Sequence, residues 1–386
     1  MRIEKIETIL VDRFLFVEIT TDNGLVGLGE GGAWAFHEAT IGAIERFSDY
    51  LVGQDPRRIE HHWQCMYRWA HFRGSAVMAA LSALDIALWD ILGQHLNVPV
   101  HALLGGKVRD KARAYYHVFG ETKEQLFDGV QRAKDAGFTA VGHLTPFLDS
   151  PRSEPFYQSH VRKISEAVDT VARYREIAGL DMDLCIEIHR RLTPYEAVQF
   201  GRAIEPYRPL FLEDPVTPDN FDEMAYVADK VGVPIATGER LTTLWEFQML
   251  INRNAVQLVR PDVCLVGGIS GARKIAALAE ASHIGVVPHN PLSVVSTVAC
   301  LQIAATAPTF VLQELPADTW SDKTDKRPPF DAIVTGAPSH DGAGFLHISD
   351  APGLGLKLQP DAAAKYPYRP RKVNTRLHID GSVVDQ

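Results

Sequence analysis

Two titratable residues follow a buried strand in the stretch LCIEIHRRLTP, residues 184–194. Glu187 and His189 are two positions apart, and strand alternation places side chains at i and i+2 on the same face. A buried carboxylate costs free energy unless it is paired or bound to a metal. The stretch therefore indicates either a strand that has reached solvent or a site for chemistry, and by itself it leaves both open.

The same arrangement recurs along the chain. Six consecutive short apolar runs end in a titratable residue: Glu187, Glu213, Glu239, Asp262, His289 and Glu314. The first three are spaced 26 residues apart, the length of one strand plus one helix. Barrels of parallel strands place their active sites at the carboxyl-terminal ends of the strands. Six such residues in register argue against a chance set of solvated strand ends.

The types of these residues indicate metal-assisted acid–base chemistry. Three adjacent carboxylates repel one another unless a cation lies between them, and all-oxygen ligands favour a hard ion such as Mg²⁺. Asp262 and His289, on neighbouring strands, suit a dyad in which the carboxylate orients the imidazole. Arg240, beside Glu239, pairs either with a ligand carboxylate or with a structural acid, and both interpretations stay open.

The N-terminal region precedes these strands and has a different pattern. Residues 1–30 read as a strand meander with a hairpin at Asn23-Gly24, and apolar helices follow. Gly27, Gly29 and Gly32 happen to fit G-x-G-x-x-G. A dinucleotide site needs that motif between a strand and a helix of a parallel unit. Because the motif lies on the return strand of a hairpin, nucleotide binding is disfavoured.

From about residue 112, eight short apolar runs alternate with seven helical segments. This alternation predicts a parallel sheet, and the count predicts a barrel related to the eightfold one. We therefore divide the chain into an N-terminal domain (1–111), a barrel (112–316) and a C-terminal segment (317–386). The last is rich in Pro, Gly and Asp and is expected to pack back on the N-terminal domain.

Composition excludes some classes of function. The chain has 386 residues, 46% hydrophobic and 23% charged, and a net charge of −9, which argues against a nucleic-acid partner. Its four cysteines lack CxxC spacing and are interpreted as reduced core residues. We do not expect the first residues to form a signal peptide, and no apolar run of membrane length is evident. We expect a cytoplasmic homo-oligomer without a membrane partner.

Longer motifs carry a family resemblance over nearly the whole chain. They are DNGLVGLGE, YLVGQDPRRIEHHWQCMYR, ALSALDIALWDILGQHLNVPV, LLGGKVRD, FLEDP, ATGER, RPDV, GGI and VPHNPL. In combination they resemble the mandelate racemase subgroup of the enolase superfamily, and within it the D-galactonate dehydratases. The tail KYPYRPRKVNTRLHIDGSVVDQ is more similar to the mannonate dehydratases. The resemblance implies an α/β fold, a (β/α)7β modified TIM barrel under an α+β capping domain built from both chain ends.

The resemblance also implies roles for the strand-end residues. Glu187, Glu213 and Glu239 would bind Mg²⁺, the His289–Asp262 dyad would be the base, His189 the general acid, and Glu314 a contact of the substrate or the developing enolate. The loop at 31–40 should reach over the barrel mouth and select the substrate through Trp34, Phe36 and His37. Alternatively, these aromatic residues pack the interface between the domains.

Two departures from the family pattern affect this prediction. The first metal ligand is usually Asp, and Glu187 adds one methylene, so the metal or the strand end must shift, although Mg²⁺ is still expected. The Lys-x-Lys motif of the second barrel strand is also missing. That strand reads FTAVGHLTP, in which His143 is the residue that could lean inward.

The missing lysines favour dehydration over racemisation. Racemisation needs a base on each face of the α-carbon, whereas dehydration needs one base and one acid, which His289 and His189 supply. We predict Mg²⁺-dependent dehydration of a sugar acid, an aldonate such as D-galactonate or D-gluconate, to a 2-keto-3-deoxy acid through an enediolate. The alternatives are a racemase, epimerase or cycloisomerase with His143 or His189 as second base, and a non-catalytic ligand-binding descendant.

Overall fold

A computed structural model describes residues 1–33, 35–120, 122–147, 154–189, 191–316, 328–372 and 375–384. Its N-terminal domain begins with an antiparallel sheet of β1 (Ile3–Val11), β2 (Phe14–Thr21) and β3 (Val26–Gly31). Helices α1 (His37–Leu51), α2 (Ile59–Trp69), α3 (Ser75–Leu96) and α4 (Val100–Leu103) follow. The predicted hairpin is confirmed, because β2 pairs with β3 across a turn in which Gly24 has φ of 83°.

The glycines of β3 allow close packing of a helix. A Cβ atom on Gly29 would lie 2.0 Å from the carbonyl oxygen of Ala83, and one on Gly27 would lie 2.2 Å from that of Ala87. Both carbonyls belong to α3, so the backbone of this helix rests directly on the sheet. Packing against α3 thus accounts for two of the three glycines that mimic a nucleotide-binding motif.

No apolar run of membrane length was expected from the sequence, and helix α3 departs from that expectation. Among the described residues it is the one helix with the length and apolar composition to cross a membrane. However, 78% of its apolar window is buried inside the protein, and Asp85 and Asp90 on it are buried as well. It is therefore the central helix of the N-terminal core.

Strands and helices alternate through the next part of the described chain. The order is β4 (Lys111–His117), α5 (Lys123–Asp135), β5 (Ala140–Leu144), α6 (His160–Ala178), β6 (Asp183–Glu187), α7 (Pro194–Ile204), β7 (Phe211–Glu213), α8 (Phe221–Lys230), β8 (Ile235–Thr237), α9 (Leu244–Asn252), β9 (Leu258–Val259), α10 (Gly268–Ala281), β10 (Gly285–Val286), α11 (Val294–Thr306) and β11 (Gln313–Leu315). A single 3₁₀ turn, Glu205–Tyr207, follows α7 among these residues.

These strands close into a barrel. Parallel neighbours run in the order β10-β9-β8-β7-β6-β5-β4-β11. Val286 of β10 donates a hydrogen bond to the carbonyl of Thr309 and accepts one from the N–H of Val311, each 2.9 Å long, which joins the two ends of the sheet. The lumen is filled by Tyr115, Ala140, Cys185, Phe211, Ala236, Leu258, Val287 and Leu312. The predicted (β/α)7β modified TIM barrel with a capping domain is confirmed.

The C-terminal segment contacts both domains. It contains α12 (Phe330–Ile333), β12 (Val334–Thr335), β13 (Phe345–His347), β14 (Lys357–Leu358) and α13 (Ala362–Lys365). Strand β13 pairs antiparallel with barrel strand β4. Farther along, the N–H of Asp12 donates to the carbonyl of Tyr366 at 2.8 Å, and that of Arg369 donates to the carbonyl of Asp12 at 2.7 Å. The segment therefore ties the barrel to the N-terminal domain.

Buried carboxylates of the N-terminal domain meet the first turns of two barrel helices. Glu30 accepts hydrogen bonds from the N–H groups of Ser293 (3.1 Å) and Ser296 (2.9 Å) at the start of α11. Asp85 accepts one from the N–H of Ser270 in α10 at 3.0 Å. Helix N-termini favour negative charge, but burial raises the pKa of each carboxyl to about 7.

The cysteines are free thiols, as the sequence predicted. Cys185, Cys264 and Cys300 are buried, whereas Cys65 is only half-buried. The prediction of a core position is therefore wrong for Cys65, whose Sγ lies 3.6 Å from the Nε2 of His61 on the same helix.

Candidate active site

Three carboxylates meet at the carboxyl-terminal mouth of the barrel. Glu187 ends β6, Glu213 ends β7, and Glu239 follows β8 by two residues. One oxygen from each lies within 4.8 Å of the other two. Glu187 and Glu213 are only 6% and 2% exposed. Anions so close and so poorly hydrated repel one another, and an oxygen-preferring divalent cation would relieve the repulsion. This acid cluster therefore fits a hard metal ion.

Arg260 balances part of this charge from below, inside the barrel. Its side chain is 1% exposed, its Nε contacts the carboxylate of Glu213, and its Nη2 lies 2.5 Å from Oε2 of Glu314. Burial raises the pKa of Glu213 well above its usual range, Arg260 opposes the shift, and Glu187 adds to it. A carboxylate in this position gains strongly from a bound cation, because the cation favours its ionised form.

The predicted dyad is brought together on the next two strands. Asp262 follows β9, His289 follows β10, and an isolated parallel bridge joins them. Nδ1 of His289 lies 2.9 Å from Oδ2 of Asp262, and Nε2 lies 3.4 Å from Oε2 of Glu239. Although burial acts to lower it, the carboxylates of Glu239 and Asp262 raise the pKa of His289 to about 9. The imidazole thus directs Nε2 at one end of the acid cluster while Asp262 holds Nδ1.

His189 lies at the other end of the acid cluster. Its Nε2 contacts Oε1 of Glu187. The φ of His189 is 54°, in the left-handed region that non-glycine residues rarely occupy. Burial would raise the pKa of Glu187, but His189 and His143 lower it well below its usual range. One imidazole therefore touches each outer member of the cluster, His189 at Glu187 and His289 at Glu239.

Glu314 is held on the last barrel strand by several donors. Its Oε2 accepts a hydrogen bond from the backbone N–H of Asn290 at 2.8 Å as well as the contact from Arg260. Its Oε1 lies 3.7 Å from Nδ1 of His117. The carboxylate is therefore fixed in orientation beside the dyad loop, which begins at His289.

The first two barrel strands add two more imidazoles. His117 ends β4, and its ring lies 4.4 Å from that of His143 in β5. Nε2 of His143 lies 4.0 Å from Oε2 of Glu187, so this side chain does lean inward. Burial lowers the pKa of His143 and thus favours its neutral form.

The remaining residues predicted to contact substrate differ in exposure, and one of them is outside the described chain. Arg240 is exposed. His37 is buried, with its Nε2 2.7 Å from the carbonyl oxygen of Arg13 and its ring 5.9 Å from that of Tyr368. These contacts are of the kind that the packing alternative expects. Trp34 lies outside the described residues.

Sequence reasoning missed two charged or titratable members of this site, His117 and Arg260. His117 ends the first barrel strand, so the strand-end rule applied to the later strands would have found it. Arg260 precedes Asp262 by two residues in VRPDV. The available signal for Arg260 was its position, two residues before an acid at the end of a strand.

Comparisons with known proteins agree with this architecture. Residues 4–105 match the family model described as "Mandelate racemase / muconate lactonizing enzyme, N-terminal domain", and residues 125–362 match "Enolase C-terminal domain-like". A D-galactonate dehydratase of Variovorax paradoxus (strain S110) is 34% identical over 393 residues, covering 100% of both chains.

Solved structures show the same fold over the full length. An enolase from Agrobacterium radiobacter with bound Na and L-malate is 29% identical, with a TM-score of 0.92 and 100% of both chains covered. A mandelate racemase/muconate lactonizing enzyme from Sulfitobacter sp. is also 29% identical, with a TM-score of 0.87 and 98% of each chain covered.

Proposed function

Because the chain belongs to the mandelate racemase/muconate lactonizing enzyme family of the enolase superfamily, we propose that it dehydrates a sugar acid. The substrate is an aldonate such as D-galactonate or D-gluconate, and the product is a 2-keto-3-deoxy acid. The relative from Variovorax paradoxus is named as a D-galactonate dehydratase. The relative from Agrobacterium radiobacter was crystallised with L-malate, which, like a sugar acid, carries a hydroxyl next to a carboxylate.

The observation that carries this proposal is the position of two imidazoles at opposite ends of the acid cluster. His189 contacts Glu187, and His289 lies 3.4 Å from Glu239. A substrate whose carboxylate binds at the cluster would lie between them. Dehydration needs a base on one side and an acid on the other, and this arrangement supplies both.

The acid cluster would hold Mg²⁺ with Glu187, Glu213 and Glu239 as ligands. When bound, the ion supplies the positive charge that stabilises the doubly negative enediolate form of the substrate. The buried donors to Glu314 hold this carboxylate in a fixed orientation, in which it would contact the substrate.

The proton transfers fall to the two imidazoles. Nε2 of His289 removes the proton from the carbon next to the substrate carboxylate, while Asp262 holds Nδ1 and stabilises the resulting imidazolium. The electron pair of the broken C–H bond then forms the carbon–carbon double bond as the β-hydroxyl departs. His189 donates the proton that makes the leaving group water. The enol that remains takes up a proton and becomes the 2-keto-3-deoxy acid.

The test is a screen of aldonic and aldaric acids after chelator treatment, with and without restored Mg²⁺. We expect a 2-keto-3-deoxy product from at least one acid, formed only with the divalent ion and lost in His289→Asn. Ligand binding without any product would contradict the proposal and favour a non-catalytic descendant.

Epimerisation is the second candidate, because one observation favours it. The ring of His143 lies 5.2 Å from that of His189, on the side of the mouth away from His289. A second base is therefore available in place of the missing lysines. The same screen separates the reactions, since an epimer formed without loss of water would identify this activity instead.

A further inference from the structure

Three potential ligands form a second group beside the acid cluster. His117 ends β4, His143 lies in β5 and Glu187 ends β6. One atom from each, a nitrogen or a carboxylate oxygen, lies within 4.8 Å of the other two. This separation is little more than twice the ~2.1 Å length of a metal–ligand bond. The group therefore comes close to the spacing of atoms that share one ion, and its side chains would close in on a bound ion.

The backbone of β5 aims His143 at this point. The pairing register between β5 and β6 shifts between Val141 and Leu144, and His143 itself has φ of 57°. Bulges of this kind redirect a side chain, and left-handed backbone at a non-glycine residue costs free energy. Here the irregularity turns the imidazole toward the barrel mouth, which a regular strand would not do.

The ring of His143 is also held in the tautomer that a metal requires. Nδ1 lies 2.9 Å from the carbonyl oxygen of Val118, to which it donates its N–H. The lone pair is then on Nε2, which lies 4.0 Å from Oε2 of Glu187, too far for a hydrogen bond. Metal-binding histidines have this arrangement, with the distal N–H held by a backbone carbonyl or a carboxylate.

His117 supplies the second imidazole from a buried position. It is 3% exposed, and the ring of Phe119 packs against both imidazoles, 4.4 Å from that of His117 and 5.1 Å from that of His143. Nδ1 of His117 lies 3.7 Å from the carboxylate of Glu314. The two rings thus face the carboxylates of Glu187 and Glu314, and this negative environment favours a cation.

We propose that His117, His143 and Glu187 bind a second divalent cation of the kind that prefers imidazole ligands, such as Co²⁺ or Zn²⁺. Glu187 would serve both sites, with one carboxylate oxygen toward the acid cluster and the other toward the imidazoles. Its additional methylene gives the carboxylate the reach to lie between two ions. Mg²⁺ prefers oxygen ligands, so the two sites select different ions. The inference does not depend on the proposed reaction.

The test is Co²⁺ binding to the full chain while excess Mg²⁺ fills the acid cluster. We expect one equivalent of Co²⁺ to bind and to change the visible absorption from that of hydrated Co²⁺. His117→Asn and His143→Asn should each weaken this binding about tenfold or more. His160→Asn, which removes an exposed histidine on α6, is the matched control and should bind Co²⁺ like the wild type.

A measurement on the wild-type chain makes the test independent of how the variants fold. With Mn²⁺ in the acid cluster, Co²⁺ in the second site would be close enough to broaden the EPR signal of Mn²⁺. An unchanged Mn²⁺ signal, or no Co²⁺ bound in excess Mg²⁺, would overturn the proposal. So would Co²⁺ binding that survives in both His117→Asn and His143→Asn, or that is lost in His189→Asn or His160→Asn alone.

Discussion

At the scale of single residues, the two imidazoles at the ends of the acid cluster differ in their partners. The Nδ1 of His289 is held by a buried carboxylate, Asp262, whereas the Nε2 of His189 contacts a member of the cluster, Glu187. This difference is the reason that the proposed reaction gives proton removal to His289 and proton donation to His189.

Isotope exchange separates these roles. In D₂O, His289→Asn should lose both dehydration and exchange of the substrate α-proton, because both begin with proton removal. His189→Asn should keep exchange while dehydration falls by about 10²–10⁴-fold, the usual contribution of a general acid. Both rates follow from NMR of the substrate and a product assay. Exchange that survives in His289→Asn and vanishes in His189→Asn would reverse the assignment.

Glu187→Asp tests whether the site has adjusted to the longer acid. Shortening the side chain by one methylene should withdraw the carboxylate from Glu213 and weaken Mg²⁺ binding by roughly tenfold, as measured by calorimetry. Glu187→Gln keeps the length of the side chain and removes its charge. It therefore separates the effect of length on Mg²⁺ binding from the effect of charge. Unchanged affinity in Glu187→Asp would show that the methylene is incidental to the Mg²⁺ site.

Arg260→Met should destabilise the barrel strongly. It leaves the buried carboxylates of Glu213 and Glu314 without their cation, and loss of one partner of a buried ion pair costs about 3–5 kcal/mol. Added Mg²⁺ should recover part of the loss in the free energy of unfolding, because it again supplies positive charge to Glu213. Arg253→Met removes an exposed partner of Asp222 and should cost less than about 1 kcal/mol. Equal losses in urea unfolding of the two variants would contradict this account.

At the scale of elements, α3 approaches β3 closely because the glycines of β3 have no side chain. The backbone oxygen of Ala83 occupies the place of a Cβ atom on Gly29, so strand and helix cannot separate without disturbing the core of the N-terminal domain. The glycines of β3, which look like part of a nucleotide-binding motif, therefore serve to pack the helix against the sheet.

Gly29→Ala should lower the free energy of unfolding by about 1–3 kcal/mol or more, because the added methyl group must displace the helix. Gly42→Ala is the control, since Gly42 lies in α1 and no atom lies within 4 Å of the place that its Cβ atom would take. It should be neutral or stabilise the fold by up to about 1 kcal/mol. Thermal unfolding of both variants measures the difference, and a neutral Gly29→Ala would contradict the packing account.

The strands that carry the acid cluster could be predicted from the sequence. The directions and partners of other side chains at the barrel mouth could not. Short apolar runs alternate with helical segments along the chain. This local pattern places Glu213 and Glu239 at the ends of strands. The inward turn of His143 depends on a register shift against the neighbouring strand, which no local pattern encodes. Arg260 likewise joins Glu213 and Glu314 across the lumen, so its partners became evident only after closure of the barrel.

At the scale of the whole molecule, buried carboxylates couple the N-terminal domain to the barrel. Glu30 reaches the first turn of α11, the helix that follows the loop starting at His289. The position of this loop, and with it the base of the proposed reaction, thus depends on a domain that contributes no member of the acid cluster.

This coupling predicts a pH dependence of stability. The pKa of Glu30 is raised from 4.5 to about 7 in the folded chain. Its protonation therefore adds to the free energy of unfolding at low pH, and this stabilisation is lost as pH rises through about 7. Between about pH 5.5 and about pH 8 the wild type should lose about 2 kcal/mol of unfolding free energy relative to Glu30→Gln. Urea unfolding at several pH values measures this, and Glu45→Gln, at an exposed position, is the control. Parallel pH curves for the wild type and Glu30→Gln would contradict it.

The pairing of Asp12 with Arg369 has a consequence for synthesis of the chain on the ribosome. The two residues form an ion pair and are 357 positions apart. At a translation rate of about 5–20 residues per second, Arg369 is made roughly 20–70 s after Asp12. During this interval the newly made N-terminal domain has left the exit tunnel with its partner still to come. In a nascent chain, the end of β1 therefore stays accessible to chaperones for far longer than the local sheet needs to form.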